Sequence, residues 1–440
     1  MGRLRRTTEL GLLVLAVIIT TGAYTLASLG RDAEIPANIG PFLALLLGLF
    51  VGAHIAIRKL APNADGVLFP LAVLLNGIGY VFIVRIDEAK ARPDGLAGYQ
   101  LTWTALGIVG FVATLFVIRR ARDLERYRYT FLLIGIGLLV IPLVPFIGRE
   151  INGAQIWVSI GPVNFQPGEF AKIALALFFA GYLVERRELL AMSTWRLGPL
   201  HLPDPKVLGP VLVAWAFSLV VMTLEKDLGS SLLFFALFVA LLWIATERVG
   251  YLVIGGVLFA AGALFAWSTF AHVQDRVEIW LNPWPVAKDE GFQVVEAGFA
   301  VADGQLTGTG LALGNPLRIP EVETDFIFAA IAEELGLFGG TAILVAFMLM
   351  IGAGLRIAVR AENPFEKLLA AGLTTLIGVQ SFIIIAGVIR VLPLTGVTLP
   401  FVSYGGSSLV ANYILLALLL RISDSRSSRV AEGEFESVAT

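Results

Sequence analysis

The 440 residues are 57% hydrophobic and 15% charged, and the apolar residues gather into blocks of about 17 or more, the length one helix needs to cross a hydrocarbon core. No polar block is long enough to bury a core of its own, which excludes a string of soluble domains and leaves an all-α polytopic membrane protein. The absence of cysteine excludes disulfides and thiolate metal sites. The net charge of -2 selects no partner, and nothing in the chain suggests nucleic acid.

The first apolar block, Leu10 to Leu29, follows Arg3, Arg5 and Arg6 as a signal peptide would, yet it lacks a small-x-small cleavage site and reads as a helix. About twelve crossings are predicted, near residues 10–29, 38–57, 67–84, 98–118, 129–147, 167–184, 209–224, 229–246, 250–268, 326–355, 365–389 and 396–421. An even number puts both termini on one side. Lys and Arg gather on that side, Arg119, Arg120, Arg122, Arg126 and Arg128 among them, so the termini are expected in the cytoplasm. Residues 422–440, rich in Ser, Arg, Glu and Asp, read as a disordered cytoplasmic tail.

The outer face then receives three polar loops, Gly148 to Gln166, Glu225 to Asp227, and Ser268 to Thr324. In the first region beyond them, Glu169 and Lys172 stand three apart on one helix face and can pair in a low dielectric. Asp227 precedes Leu228-Gly229 as an ordinary helix N-cap. In the long loop, Trp280-Leu281-Asn282-Pro283-Trp284-Pro285 suits the headgroup layer. Phe292, Val295, Phe299 and Ala302 follow at three- and four-residue spacing, as in a helix resting on the membrane. Gly304-Gln305-Leu306-Thr307-Gly308-Thr309-Gly310 is either a flexible turn or a backbone cradle for an anion.

That loop ends at Asp325, which runs straight into Phe326-Ile327-Phe328. A carboxylate at a lipid boundary is costly and is therefore a functional candidate. From Asp325 to Arg356 a straight helix would be about 46 Å long, against a core of about 30 Å. Gly336, Gly339 and Gly340 offer a break, so a half-helix from Asp325 to about Leu335 is expected to precede the true crossing. Glu333 and Glu334 would lie about 12 Å below Asp325 along it. Arg149, Arg276 and Arg390 form a sparse basic rim, the guanidinium fork being suited to phosphate oxygens. His54, His201 and His272 have no metal-ligand spacing, and there is no Gly-x-Ser-x-Gly elbow.

Five motifs occur in order: Asn152-Gly153-Ala154-Gln155-Ile156-Trp157; Gln166-Pro167-Gly168-Glu169-Phe170-Ala171-Lys172; Asp227-Leu228-Gly229-Ser230; Thr324-Asp325-Phe326-Ile327-Phe328 with Ala332-Glu333-Glu334-Leu335-Gly336; and Leu392-Pro393-Leu394-Thr395-Gly396 with Pro400-Phe401-Val402-Ser403-Tyr404-Gly405-Gly406. Together they make residues 67–421 resemble the SEDS family of shape, elongation, division and sporulation proteins. Residues 1–66, an extra helix pair, lie outside the resemblance. It implies a peptidoglycan glycosyltransferase of the bacterial cytoplasmic membrane that polymerises lipid II at the outer face, with residues 268–325 as the catalytic loop and a class B penicillin-binding protein as partner. Asp325 matches the family's catalytic aspartate. Arg276, Lys172 and Arg390, with a divalent cation (Mg or Mn) at Asp325, would meet the undecaprenyl pyrophosphate. Glu169, Arg149, Trp157, Gln293 and Ser403 are assigned to substrate, and Asp227, Glu333, Glu334 and Glu323 to support.

The chain departs from the family pattern at Ile156, where many members have Arg, and at Glu323, where His is frequent. Arg149 is a candidate replacement for the first. At the second, a negative charge two residues from Asp325 would raise its pKa or help hold a metal. Intramembrane charges and a broken helix also suit a proton-coupled carrier or lipid flippase, but a coupling acid belongs near the midplane and Asp325 is expected at the outer boundary. A scaffold for a penicillin-binding protein is the third reading, and it makes Asp325 dispensable.

Overall fold

The computed structural model describes residues 2–32, 39–90, 95–151, 154–161, 163–191, 193–197, 200–203 and 227–439, with Ala216, Val220 and Glu225. Among the described residues nine helices are long and apolar enough to cross a membrane. The predicted crossing at 209–224 lies almost wholly outside them. Two compact units divide the chain: residues 1–119, 278–353 and 380–440 form one, and residues 120–277 and 354–379 the other.

The first unit holds α1 (Gly2–Asp32), α2 (Ile39–Leu60), α3 (Leu68–Lys90), α4 (Leu96–Val117), α10 (Phe292–Gly304), most of α11 (Ile327–Arg360) and α13 (Gly406–Ala439). Helix α4 packs along α13, and α1 along α3. Phe69 stacks on Phe111 at 5.3 Å, and Tyr413 meets Phe401 edge-on at 5.4 Å. Such ring pairs add to the burial of large apolar area. The Tyr413 hydroxyl accepts from Asn76 Nδ2 at 2.8 Å, and Asn76 also reaches Thr104, so these three buried polar side chains answer one another. At the far end Arg421 donates to the carbonyls of Leu60 (2.6 Å) and Leu115 and lies beside Asp424.

In the second unit are α5 (Arg128–Val140), α6 (Gly168–Ala191), α7 (Leu228–Thr246), α8 (Val249–Thr269) and most of α9 (Ala271–Leu281). It also holds the body of α12 (Pro364–Val388). Tyr129, Phe178, Phe179 and Phe238 form a chain of tilted rings across α5, α6 and α7.

Three expectations change. Residues 148–166 are not an irregular loop: β1 (Gly148–Ile151), β2 (Ala154–Ile160) and β3 (Val163–Phe165) make an antiparallel sheet, with a register irregularity between Arg149 and Ile151. A second pair, β4 (Ser193–Leu197) and β5 (Leu200–Pro203), forms a ladder in the α6–α7 connection. Ile, Val and Trp favour such pleated pairs, but short strands are lost beside long apolar runs. The last crossing begins at Gly406 rather than at residue 396, since Pro400 lacks a donor and Phe401 has φ of 64°. The same helix continues to Ala439, through the stretch whose composition predicts a disordered tail.

Candidate active site

Asp325 lies just ahead of the first turn of α11 and is half-buried. At the start of a helix the unpaired N–H groups carry partial positive charge, which favours a carboxylate there. Helix α11 is two helices: Gly336 interrupts it with φ of 66° and ψ of -166°. Residues 327–335 are thus the half-helix expected from the excess length of the segment.

The break is repaired by the glycine-rich loop. Thr309 N donates to Glu333 O at 2.9 Å and Gly310 N to Glu334 O at 3.0 Å, which satisfies carbonyls at the end of the half-helix. Leu337 N and Phe338 N, which open the second helix, donate to Gln305 O (3.0 Å) and Leu306 O (3.2 Å). A carbonyl or amide left bare in hydrocarbon costs several kcal/mol, so this exchange lets the break exist. It also requires glycine: a methyl on Gly336 would lie 2.3 Å from Gly308 N, and one on Gly308 would lie 2.1 Å from Glu334 O. Of the two readings of residues 304–310, the anion cradle is excluded for Thr309 and Gly310, whose N–H groups are committed to protein carbonyls.

The tripeptide leading into Asp325 is fastened at each step. Lys90 Nζ, at the end of α3, lies 2.8 and 2.7 Å from the two oxygens of buried Glu323. The Glu323 carbonyl accepts from Tyr404 N at 2.8 Å. Ser403 Oγ donates to Thr324 O at 2.5 Å and accepts from Leu399 N at 2.9 Å. Glu321, where the tripeptide is approached, has φ of 52°, a strained backbone of the kind found beside reacting groups. The Ser403 hydroxyl is thus engaged by backbone on both sides, and the Glu323 charge, expected from the sequence beside Asp325, is met by Lys90.

Glu333 and Glu334 are anchors. Glu333 Oε1 accepts from Asn315 N (3.0 Å) and Arg318 Nη2 (3.2 Å), and Glu334 Oε2 accepts from Ala312 N (2.8 Å). Arg85 of α3 lies 3.5 Å from Glu334 and donates to Ala312 O and Gly314 O. Arg390, with φ of 59°, donates through Nη2 to Trp280 O at 3.1 Å while Trp280 Nε1 donates to Arg390 O at 3.1 Å. Its guanidinium is thus partly engaged by protein. Gln293 is half-buried in the first turn of α10.

The remaining predicted residues belong to the second unit. Glu169 and Lys172 are buried and paired at 2.7 Å. Asp227 caps α7 by accepting from Ser230 N at 3.0 Å. Arg149 is exposed and sits directly across the sheet from half-buried Trp157. Alternation along β2 then puts it on the face opposite to Ile156, so it does not take the place of an Arg at 156. Arg276 is half-buried on α9. The sequence gives little sign of Lys90 and Arg85, two cations near one end of an apolar helix, or of Arg318 in the long loop. It gives as little sign of Glu225, whose carboxyl burial and the nearby Asp227 charge push up to about 9.

Among the described residues no three His, Cys, Asp or Glu converge on a cation position, and the Glu323 carboxylate is taken by Lys90. A Mg or Mn ion at Asp325 would therefore take its remaining ligands from water and substrate oxygens rather than from a protein cage.

A family model described as "Cell cycle protein", covering FtsW, RodA and SpoVE, matches residues 66–428. The chain belongs to this family. It is 44% identical over 424 residues to the protein named peptidoglycan glycosyltransferase RodA of Mycobacterium tuberculosis, covering 95% of this chain and 90% of that one. It is 31% identical over 372 residues to stage V sporulation protein E of Bacillus subtilis, covering 83% and 98%. The crystal structure of Thermus thermophilus RodA superposes with a TM-score of 0.59 at 25% identity, covering 82% of this chain and 97% of that one. A structure described as the coordination of polymerization and crosslinking by a peptidoglycan synthase complex gives 0.66 at 26%, covering 82% and 98%. A match over 95% of 440 residues leaves about 22 outside it. The mycobacterial relative therefore shares most of the N-terminal helix pair that the family model omits.

Proposed function

We infer that this protein is a peptidoglycan glycosyltransferase of the bacterial cytoplasmic membrane that polymerises lipid II at the outer face, serving cell elongation or division, with Asp325 as general base. The observation that carries this is the placing of Asp325: a half-buried carboxylate at the head of a half-helix, its approach pinned by Lys90–Glu323 and Ser403–Thr324. In the proposed step Asp325 takes the proton from the acceptor 4-hydroxyl, that oxygen bonds to the anomeric carbon of the lipid-linked sugar, and the carbon–oxygen bond to pyrophosphate breaks with inversion. A sugar alcohol leaving group would need a second carboxyl as acid. Pyrophosphate leaves as a stable anion, so one base suffices.

Arg276, Lys172 and Arg390 are the proposed pyrophosphate ligands. Lys172 comes already paired with Glu169, and Arg390 is partly engaged by Trp280. No step is routed through a metal; a divalent ion at Asp325 would share that carboxylate with pyrophosphate oxygens. The termini are proposed to be cytoplasmic, which puts the catalytic loop outside. A class B penicillin-binding protein is the proposed partner, supported by likeness to a synthase complex that couples polymerization with crosslinking.

The test is lipid II polymerisation in liposomes by the full chain with its transpeptidase, comparing wild type with Asp325→Asn. Glycan chains from wild type alone are expected. Chains from both would remove Asp325 from the chemistry, and translocation without polymerisation would make the protein a flippase.

A further inference from the structure

Two cations on α3 take no part in the proposed reaction; one reaches the loop that ends in Asp325 and the other the far end of the half-helix that follows it. Lys90 grips Glu323, two residues before the base, with both carboxylate oxygens within 2.8 Å. Arg85 meets Glu334, near the end of the half-helix, at 3.5 Å and donates to the carbonyls of Ala312 and Gly314 at 3.2 and 3.1 Å. Glu334 in turn holds Ala312 N. One helix thus grips the loop before the half-helix and the half-helix's far end, through partners more than two hundred positions away in sequence. The two carboxylates are 3% and 1% exposed, so removing either cation strands a buried charge.

Behind α3 stands α1. It packs along α3, with a small cavity between them lined by Tyr24, Ser28, Arg85 and Glu88. At its end Gly30 lies against the loop that Arg85 holds: a methyl there would be 2.5 Å from the Leu311 carbonyl oxygen. The family model begins at residue 66, so α1 is an addition that touches the grip from behind.

We propose that α3, backed by α1, is a clamp that sets the position of Asp325, with Lys90 and Arg85 as positioning residues and the N-terminal helix as the brace of that clamp. The proposal rests on Asp325 being the base. A displacement of about 1 Å at a reacting group can cost about 100-fold in rate, so a clamp acts on turnover and leaves substrate affinity nearly untouched.

The test uses the full chain with its transpeptidase in liposomes and compares wild type, Lys90→Ala, Lys90→Arg and the exchanged pair Lys90→Glu/Glu323→Lys. Two quantities are measured: amide hydrogen exchange over residues 321–328, and the kcat and KM of lipid II polymerisation. Lys90→Ala is expected to speed exchange in that stretch and to lower kcat by about 10- to 100-fold with KM changed less than about threefold. Lys90→Arg and the exchanged pair should recover most of both. Gly30→Val on α1, which changes no member of either ion pair, should lower kcat in the same direction.

Unchanged exchange in Lys90→Ala overturns the clamp, and so does an unchanged kcat or a loss confined to KM. Failure of both Lys90→Arg and the exchanged pair to recover turnover also overturns it. If exchange responds as expected while wild type makes no glycan, the clamp stands and the assignment of Asp325 as base falls.

Discussion

Among the described residues, Lys172–Glu169 and Lys90–Glu323 are lysine–glutamate pairs with the same 2.7 Å separation and a buried carboxylate in each. The first joins residues three apart on α6. The second joins the end of α3 to the loop before α11, across 233 positions. A pair within one helix turn leaves that helix where it was, because the backbone already fixes both Cα atoms. A pair between distant segments removes freedom from a loop, and here the loop ends in Asp325. Equal geometry therefore predicts unequal roles.

The largest effect expected from this difference lies at the group that the second pair serves. Asp325→Asn should lower the polymerisation rate by about 100- to 10,000-fold, the usual weight of a general base. Lipid II binding and thermal stability should stay close to wild type. Retained turnover would make the clamp around it a structural feature only.

Replacing both members of each pair separates their roles directly. Glu169→Leu with Lys172→Leu should change thermal stability little, since swapping a buried ion pair for apolar side chains is often neutral, while either single change should cost about 3–5 kcal/mol. Lys90→Leu with Glu323→Leu should also fold, yet turnover should remain depressed, because the apolar pair does not fix the loop. Thermal unfolding in detergent and polymerisation assays on the four variants would decide it. Full activity in the Lys90/Glu323 double variant would erase the distinction.

The glycines of α11 extend the contrast to the backbone. Gly336→Ala puts a side chain at φ of 66° and 2.3 Å from Gly308 N, so it should destabilise by about 1–3 kcal/mol from backbone strain, with steric overlap added. Gly340→Ala, one turn later, meets only the edge of Phe328 at 3.4 Å and should be tolerated. Equal melting temperatures for the two would mean that the half-helix needs no break.

What could be read in the sequence was what depends on near neighbours or on a fixed bilayer thickness. The excess length after Asp325 implied an interruption near Gly336, the spacing of Phe292, Val295 and Phe299 implied α10 (Phe292–Gly304), and Asp227 looked like the cap that it is. The glycine loop stayed ambiguous, because its partners are carbonyls of α11 brought to it by folding. Lys90 and Arg85 gave almost no signal, since each looks like the charged end of a crossing until Glu323 and Glu334 are seen against it. The backbone bonds of the Ser403 hydroxyl gave no signal either, since a motif does not show what a side chain faces. The β1–β2–β3 sheet was missed for a different reason: strands of three to seven residues carry too short a pattern to stand out beside crossings of twenty.

Glu225 shows a third way to bury an acid, and it gives the smallest effect. It is 4% exposed, and its carboxyl is pushed from the ordinary 4.5 up to about 9, first by burial and then by Asp227, so at neutral pH it keeps its proton. The folded state then binds the proton more tightly than the unfolded chain. Below about pH 4.5 both states carry it and nothing is lost; between about 4.5 and 9 the unfolded chain ionises first and stability falls as pH rises; above about 9 the slope ends. The fall is at most about 1.4 kcal/mol per pH unit. Glu225→Gln removes the titration, so its melting temperature should exceed that of wild type by a margin that widens from pH 5 to pH 8. Parallel melting curves across that range would show Glu225 ionised in the fold, and a buried acid here would then need a cation as the other two do.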